Sequence, residues 1–368
     1  MIDPLRSLPL YIQIAQDIRE QVNSGKLKEG DSIGTLNELG QKYNTSLITI
    51  RKAISELKFE KVLIGRMGKG TYVAPVLKSN GTPRVVNHKT IGFILKNLTT
   101  HFFPDILAGA ESRIHETDYR LIVSGSAGKI EGEEDAIRHM LDLGVSGIII
   151  ASLTRDYDAS RLISLLGQND FPYVFVSYVK DMNVNYIGTD HKYIGYMATK
   201  HLLDIGYEKI GYINSEKGNV IGELRYKGYL NALKTIGMEP ETDHLYFTPM
   251  GGDTYYRNSG YELGKKIASQ KNRPRAYFIY NDLIALGFMD ALLEKGLRIP
   301  EDVALIGVDD IAESETAKVP LTTIHQPRVE IGATAIETVI KLAEKKAVPA
   351  RQLFKPSIVI RQSCGMGA

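Results

Sequence analysis

Ser46, Thr49, Lys52 and Ser55 recur at helical spacing, which puts small hydroxyls and a cation along one helix face. A helix end of that chemistry can enter a DNA major groove and hydrogen-bond to base edges. Arg66 and Lys69 lie among Gly65, Gly68 and Gly70, where backbone and cations can approach phosphate or the minor groove. Farther on, Asn97–Phe103, Ser177-Tyr178, Asn281-Asp282 and Asp309-Asp310 each follow a short β-branched run. Asn, Asp, Gln and Arg form paired bonds to vicinal hydroxyls, and aromatic rings cover the C–H face of a sugar, so these segments suit a polyol. Each also has an ordinary structural explanation. Asp309-Asp310 can close a loop, Asn281 can cap a helix, Phe102-Phe103 can fill a core, and the first two groups match a solvated helix face and a plain hairpin.

The elements that position these residues fall into two kinds. Tyr11, Ile14, Ala15, Ile18 and Val22 predict an amphipathic helix over 10–24, stopped by Gly25. A turn at 28–31, a short helix over 35–43, a tight connection at 44–46 and a helix over 46–60 follow, the last burying Ile50, Ile54 and Leu57. Strands at 63–65 and 71–73 then flank Arg66-Met67-Gly68-Lys69-Gly70, which completes an N-terminal winged helix-turn-helix over residues 1–74. Residues 75–89, with Pro75, Ser79-Asn80-Gly81 and Pro83, read as a flexible tether.

From Thr90 onward, β-branched runs alternate with helical patterns. Strands are expected at 91–95, 121–124, 147–151, 173–176, 209–213, 276–280 and 303–308. Helices are expected at 104–117, 131–144, 191–205, 225–236, 259–269, 283–295 and 327–345. Repeated β-α-β units make an α/β body with parallel sheets flanked by helices. Residues 90–368 suffice for two lobes, about 90–190 plus 327–345, and 191–326. Ligands of such folds sit beyond the carboxyl ends of the strands, the rule that selects the polar segments above.

Bulk properties narrow the function class. The chain has 368 residues, 43% hydrophobic and 24% charged, too long for one core. No run approaches the ~18 apolar residues of a membrane span, and the first residues lack the basic and apolar regions of a signal peptide. The single cysteine, Cys364, cannot form an internal disulfide. Together these favour the cytoplasm. Residues 1–80 hold 12 basic and 8 acidic side chains, against 33 and 35 in the remainder, a polarity that suits nucleic acid at one end. The eight histidines are scattered without metal-ligand spacing, and neither a G-x-S-x-G elbow nor a P-loop occurs. No catalytic residue, metal or cofactor is therefore expected.

The head resembles the GntR family of bacterial regulators through Pro9-Leu10-Tyr11, Gly25-Lys26-Leu27, Gly30-Asp31, Thr49-Ile50-Arg51-Lys52-Ala53 and Gly68-Lys69-Gly70-Thr71-Tyr72-Val73. The resemblance implies DNA contacts from Ser46, Thr49, Arg51 and Gly70, with Thr35, Lys52, Arg66 and Lys69 nearby. It departs at Leu47 and Asn37, which stand where the family usually has arginines. Leucine cannot donate to guanine but can meet a thymine methyl, so an operator less dependent on G·C there is expected.

The body resembles the LacI-type regulators and the periplasmic pentose receptors. The matches include Phe102-Phe103-Pro104, His201 through Tyr207, Arg225-Tyr226-Lys227-Gly228-Tyr229, Asn281 through Gly287, Ile299 through Asp310, and Pro320 through Pro327. That resemblance implies a two-lobed, periplasmic-binding-protein-like fold and ligand contacts from Phe102, Phe103, Ser177, Arg225, Asn281, Asp309 and Gln326, with an aromatic from Tyr255 or Tyr256. Ser177 departs from the aspartate many sugar binders carry. A GntR head on a LacI-type body is similar to the arabinose repressors of Gram-positive bacteria, which makes L-arabinose the first expected effector.

The expected protein is a dimeric, non-membrane repressor of sugar-utilisation genes that binds double-stranded operator DNA and is released by a monosaccharide. A sugar-dependent activator would show the same residues. A sugar-acting enzyme with a DNA-binding adaptor would need a nucleophile or acid–base pair that the sequence does not offer.

Overall fold

The structure is a computed structural model that describes residues 10–59, 62–66, 70–74, 89–96, 102–151, 166–167, 170–176, 178, 184–238, 244–248 and 256–365. The chain divides into two units, 1–86 and 87–368.

The first unit contains α1 (Leu10–Asn23), α2 (Leu36–Lys42), α3 (Leu47–Phe59), β1 (Leu63–Arg66) and β2 (Gly70–Val73). The apolar stripes of the helices close on Ile14, Ile18, Leu39, Ile50, Leu57 and Leu63, all buried. Thr35 and Glu38 form a reciprocal capping box that starts α2. Ser46 Oγ accepts from the Thr49 amide at 3.3 Å and so starts α3. β1 and β2 pair antiparallel, with Leu63 against Val73 and Arg66 against Gly70. Gly70 has φ of 110°, which favours glycine there. One feature was not expected. Residues 31–33 pair along β2, through Val73 N to Asp31 O at 2.9 Å and Ile33 N to Thr71 O at 3.1 Å, so the segment after the turn stiffens the wing.

The described residues of the second unit form two six-stranded sheets. The first is built from β3 (Thr90–Leu95), β4 (Arg120–Gly125), β5 (Gly147–Ile150), β6 (Tyr173–Phe175), β7 (Tyr186–Thr189) and a late strand, β13 (Arg351–Phe354). Its spatial order is β13-β7-β6-β5-β3-β4, and every pair is parallel. The second contains β8 (Ile210–Asn214), β9 (Leu245–Phe247), β10 (Ala276–Ile279), β11 (Ala304–Val308), β12 (Thr322–His325) and β14 (Ser357–Val359), in the order β14-β12-β11-β10-β8-β9. Among the described strands of this sheet, β14 alone runs antiparallel to its neighbour.

Helices cover both sheets: α4 (Phe103–Ile114), α5 (Ile130–Asp142), α6 (His191–Asp204), α7 (Val220–Lys234), α8 (Tyr256–Ala268), α9 (Asp282–Glu294), α10 (Ala312–Glu315) and α11 (Arg328–Ala343). Strands such as β5 and β11 are buried at every residue, as expected where helices lie on both faces. The expected strands and helices are present, together with further strands, the short α10 and an earlier start to α7. Strands β7, β9, β12, β13 and β14 were not anticipated. Helix α7 starts five residues earlier than expected, because the Asn219 side chain accepts from Gly222 N at 3.0 Å and caps it there. The tail beyond residue 345 supplies one strand to each sheet.

Three helix pairs, α4 with α11, α6 with α7 and α8 with α9, pack at backbone distance. A Cβ at Gly109 would strike the Val329 carbonyl, and one at Gly332 the Ile106 carbonyl. Gly195 meets the Arg225 carbonyl and Gly228 the Lys192 carbonyl; Gly260 and Gly287 repeat this with Ile284 and Arg257. Each crossing thus uses one glycine from each helix, which lets the axes approach closely and fixes where the first turns of those helices lie.

Candidate functional site

On the head, the candidate DNA-contacting residues lie on α2, α3 and the hairpin. Thr35, Asn37, Ser46, Leu47, Arg51 and Lys52 are exposed and Thr49 is half-buried. Several already have local partners. Thr35 is engaged in the capping box. The Ser46 and Thr49 hydroxyls pair at 2.9 Å. Lys52 Nζ lies 4.0 Å from the centroid of the Tyr11 ring, a cation–π contact that holds the ammonium near α1. Leu47 is 41% exposed and its neighbour Ile48 79%, so α3 opens with two apolar side chains offered to solvent. Arg66 closes β1, Gly70 opens β2, and Lys69 lies outside the described residues.

In the body, a cleft of about 840 Å³, counting space open to solvent, lies at the carboxyl ends of strands from both sheets. Lys96 follows β3, Thr189 ends β7, Tyr280 and Asn281 follow β10, Asp309 follows β11 and Gln326 follows β12. Phe102, Phe103, Tyr186, Tyr256 and Tyr280 supply aromatic walls. The geometry follows the rule that open α/β sheets bind beyond their strand ends.

Arg225, on α7, is 3% exposed. Its guanidinium lies 4.8 Å from the Tyr280 ring centroid, donates to the Tyr280 carbonyl and approaches Asp309 Oδ1 at 4.0 Å. Its Nε has no partner among the described residues. Gln326 Nε2 donates to Asp309 Oδ1 at 2.8 Å, while its buried Oε1 has no partner among the described residues. Asn281 Oδ1 accepts from Ile284 N at 3.0 Å, so this residue both caps α9 and lines the cleft. Buried donors and acceptors left open in a cleft have a ligand's polar groups as their natural complement.

Asp309 and Asp310 have φ of 115° and 54°, two successive non-glycine residues in the left-handed region. Such backbone persists only where its surroundings hold it. Here Arg328 donates to both carbonyls. On the Asp310 carboxylate, Arg361 donates to Oδ1 at 2.8 Å and His325 Nδ1 pairs with Oδ2 at 3.0 Å. The loop is thereby fixed with the Asp309 carboxylate toward the cleft.

The structure separates residues that sequence placed together. Asp282 is fully buried away from the cleft. It accepts from Thr323 Oγ1 at 2.6 Å, Ser314 Oγ at 2.7 Å and Ile311 N at 3.2 Å. Burial and the nearby Asp309 push its carboxyl up to about 7, against the pull of those three hydrogen bonds. Tyr178 packs edge-on to Tyr186 and His191 behind the lining. Ser177 and Tyr255 lie outside the described residues, and Tyr256 is the aromatic in the wall. Sequence reasoning missed Tyr186, Thr189 and His191. The available signal was a short Tyr-Ile-Gly-Thr run just before the helix expected at His191, which the strand-end rule would have selected. Burial, and next to it the Arg225 guanidinium, holds His191 well below the usual histidine range, so it is neutral.

Among the described residues, no group of three or more His, Cys, Asp or Glu is placed to hold a metal ion, and no helix is long and apolar enough to cross a membrane. Residues 10–73 match the bacterial regulatory proteins of the gntR family, and residues 199–364 match the periplasmic binding protein-like domain. The HTH-type transcriptional repressor PurR of Pasteurella multocida is 30% identical over 345 residues, covering 90% of this chain and 98% of that protein. The chain belongs to the LacI-type transcriptional repressors, with a gntR-type head. The arabinose metabolism transcriptional repressor of Geobacillus stearothermophilus is 27% identical to this repressor over 97% of the chain and 98% of its own length. The lac repressor dimer, solved bound to operator and the anti-inducer ONPF, superposes with a TM-score of 0.67 at 26% identity, covering 75% of this chain and 94% of that one. The repressor is thus a ligand-responsive, DNA-binding regulator with its reading elements in the head and its cleft in the body.

Proposed function

We propose that this repressor binds double-stranded operator DNA as a cytoplasmic homodimer and releases it when a monosaccharide fills the cleft, and that it has no catalytic activity. L-arabinose is the first candidate, supported by the likeness to an arabinose metabolism repressor across the length of both chains. The observation that carries the reading is the cleft itself. Aromatic walls surround buried Arg225 and Gln326, each with an open hydrogen-bonding atom, beside the Asp309 carboxylate. That combination suits a ring with apolar C–H faces and several hydroxyls. Phe102, Phe103, Arg225, Asn281, Asp309 and Gln326 hold the sugar, with Tyr256 in the aromatic role. Ser46, Leu47, Thr49, Arg51, Gly70 and their neighbours meet DNA. Val123 on the edge strand β4, and Ile130, Leu141 and Leu143 on and after α5, leave apolar side chains exposed, which supports self-association through this part of the body.

The test starts with a duplex selected from a random pool by the full-length protein. L-arabinose should weaken binding to that duplex, and the duplex should weaken arabinose binding by the same factor. Unchanged affinities in both directions sink the coupling, and tighter DNA binding reverses its sign.

A further inference from the structure

Arg225, Asp309 and Gln326 account for one polar part of the cleft. Another part is supplied by Thr189, at the end of β7, and His191, in the first turn of α6. Thr189 is 3% exposed and His191 6%. Thr189 Oγ1 and His191 Nδ1 are both buried, and neither has a hydrogen-bond partner among the described residues. Leaving two such atoms open costs stability that a ligand's polar group recovers on binding.

The backbone holding both residues is fixed. The Tyr186 phenol donates across Gly188 to the Thr189 carbonyl at 3.5 Å. Asp190 caps α6 by accepting from Tyr193 N at 3.0 Å. The Gly195–Gly228 crossing joins α6 to α7 at the level of Arg225, and the Tyr178 ring meets the imidazole edge-on, 6.5 Å between centroids. These contacts hold in place the backbone that carries both side chains and the imidazole ring, which lowers the ordering cost when a ligand binds.

Their chemistry limits what the ligand can be. A threonine hydroxyl and a neutral imidazole can each donate or accept, and a ligand hydroxyl does both. A phosphate or carboxylate only accepts, so it can pair with the Arg225 guanidinium but not with the Asp309 carboxylate or the carbonyl oxygen of Gln326, whereas a hydroxyl can pair with all three. Lys96 and Asp309 both line the cleft, and both also have partners within the protein.

We propose that Thr189 and His191 form a second hydroxyl-reading edge of the cleft, so that the ligand is an uncharged polyol held between this edge and Arg225, Asp309 and Gln326. The inference rests on the monosaccharide reading above and adds two specificity-determining residues to it.

The experiment titrates full-length wild type, Thr189→Val and His191→Phe calorimetrically with L-arabinose, D-xylose, D-ribose, D-galactose and D-ribose 5-phosphate. It then uses each monodeoxy analogue of the sugar that binds. Wild type should bind one uncharged sugar and bind one deoxy analogue of it roughly tenfold more weakly, the scale of one hydrogen bond. Thr189→Val or His191→Phe should bind that sugar and that analogue equally, whereas a merely structural defect weakens every analogue alike. Thr189→Val, which keeps the side-chain shape, carries the test if His191→Phe does not fold. Variants that keep full discrimination against every analogue overturn this edge and leave the monosaccharide reading standing. Binding of the phosphate alone overturns the uncharged ligand. Binding of none of the five overturns both.

Discussion

Replacing Arg328 with methionine should unpin the loop that aims Asp309 into the cleft. Arg328 is 6% exposed at the start of α11. Its Nε and Nη2 donate to Asp105 Oδ2 at 2.9 and 2.7 Å, and its Nη1 and Nη2 donate to the carbonyls of Asp309 and Asp310. Asp105 leaves 48% of its side chain exposed, so water can replace the guanidinium there, and the ion pair contributes at most about 1 kcal/mol. The two carbonyls belong to residues held in the left-handed region. Hydrogen bonds from a charged donor contribute about 1.5–3 kcal/mol, and released backbone strain recovers a part of that. Arg328→Met should therefore cost about 3 kcal/mol and Asp105→Ala about 1 kcal/mol or less. At roughly 2–4 °C per kcal/mol for a unit of this size, the first change lowers Tm by about 6–12 °C and the second by no more than about 4 °C. Circular dichroism melts of the full chain, with and without L-arabinose, read both effects. Arg328→Met should also lose ligand stabilisation, because Asp309 no longer holds its position, while Asp105→Ala should keep it. Equal Tm losses in the two variants would refute the reasoning, since the ion pair and not the loop contacts would then carry the energy.

Three further outcomes follow from other parts of the molecule. Gly195→Ala drives a methyl into the Arg225 carbonyl, so α6 and α7 must separate; stability should fall by about 1–3 kcal/mol and sugar affinity with it, and a variant with unchanged urea midpoint and affinity contradicts the close crossing. His191 stays neutral in the fold while an unfolded-state histidine takes up a proton. Its contribution is therefore complete above pH of about 6.5 and is lost on acidification below it, by at most about 1.4 kcal/mol per pH unit. Urea midpoints at pH 7.5 and 5.5 should differ less for His191→Phe than for wild type, and identical differences sink the assignment. Asp282, raised toward about 7, acts with the opposite sign but is common to both proteins and cancels in the comparison. Leu47→Arg should shift selected operators toward G·C at the base pair that residue 47 meets; an unchanged base preference would mean that residue 47 does not read DNA.

Much of this architecture was legible along the chain because the signals were local. Ile91–Leu95, Gly147–Ile150 and Val303–Val308 are continuous apolar runs that include β-branched residues, and burial on both faces demands such runs. The helix start at Ser46 was marked by capping side chains, and Gly228 and Gly287 stood in motifs that supply glycines to the helix crossings. Strands β13 and β14 escaped notice because they lie at sheet edges, where exposed or half-exposed residues such as Arg351, Gln352 and Ser357 need not be apolar. β7 is short and contains Gly188, so it carries no periodicity, and with it Thr189 and His191 were overlooked. Side-chain roles depended on the fold still more strongly. Asn281 and Asp282 are adjacent, as are Asp309 and Asp310, and composition treats each pair alike. Only the packed arrangement turns Asn281 and Asp309 to the cleft while Asp282 anchors the Ile311–Ser314 turn and Asp310 binds Arg361 and His325. The reason is physical: periodicity reports which face of an element is buried, whereas the partner of a polar group is chosen by residues far away in sequence that the folded chain brings within hydrogen-bond reach.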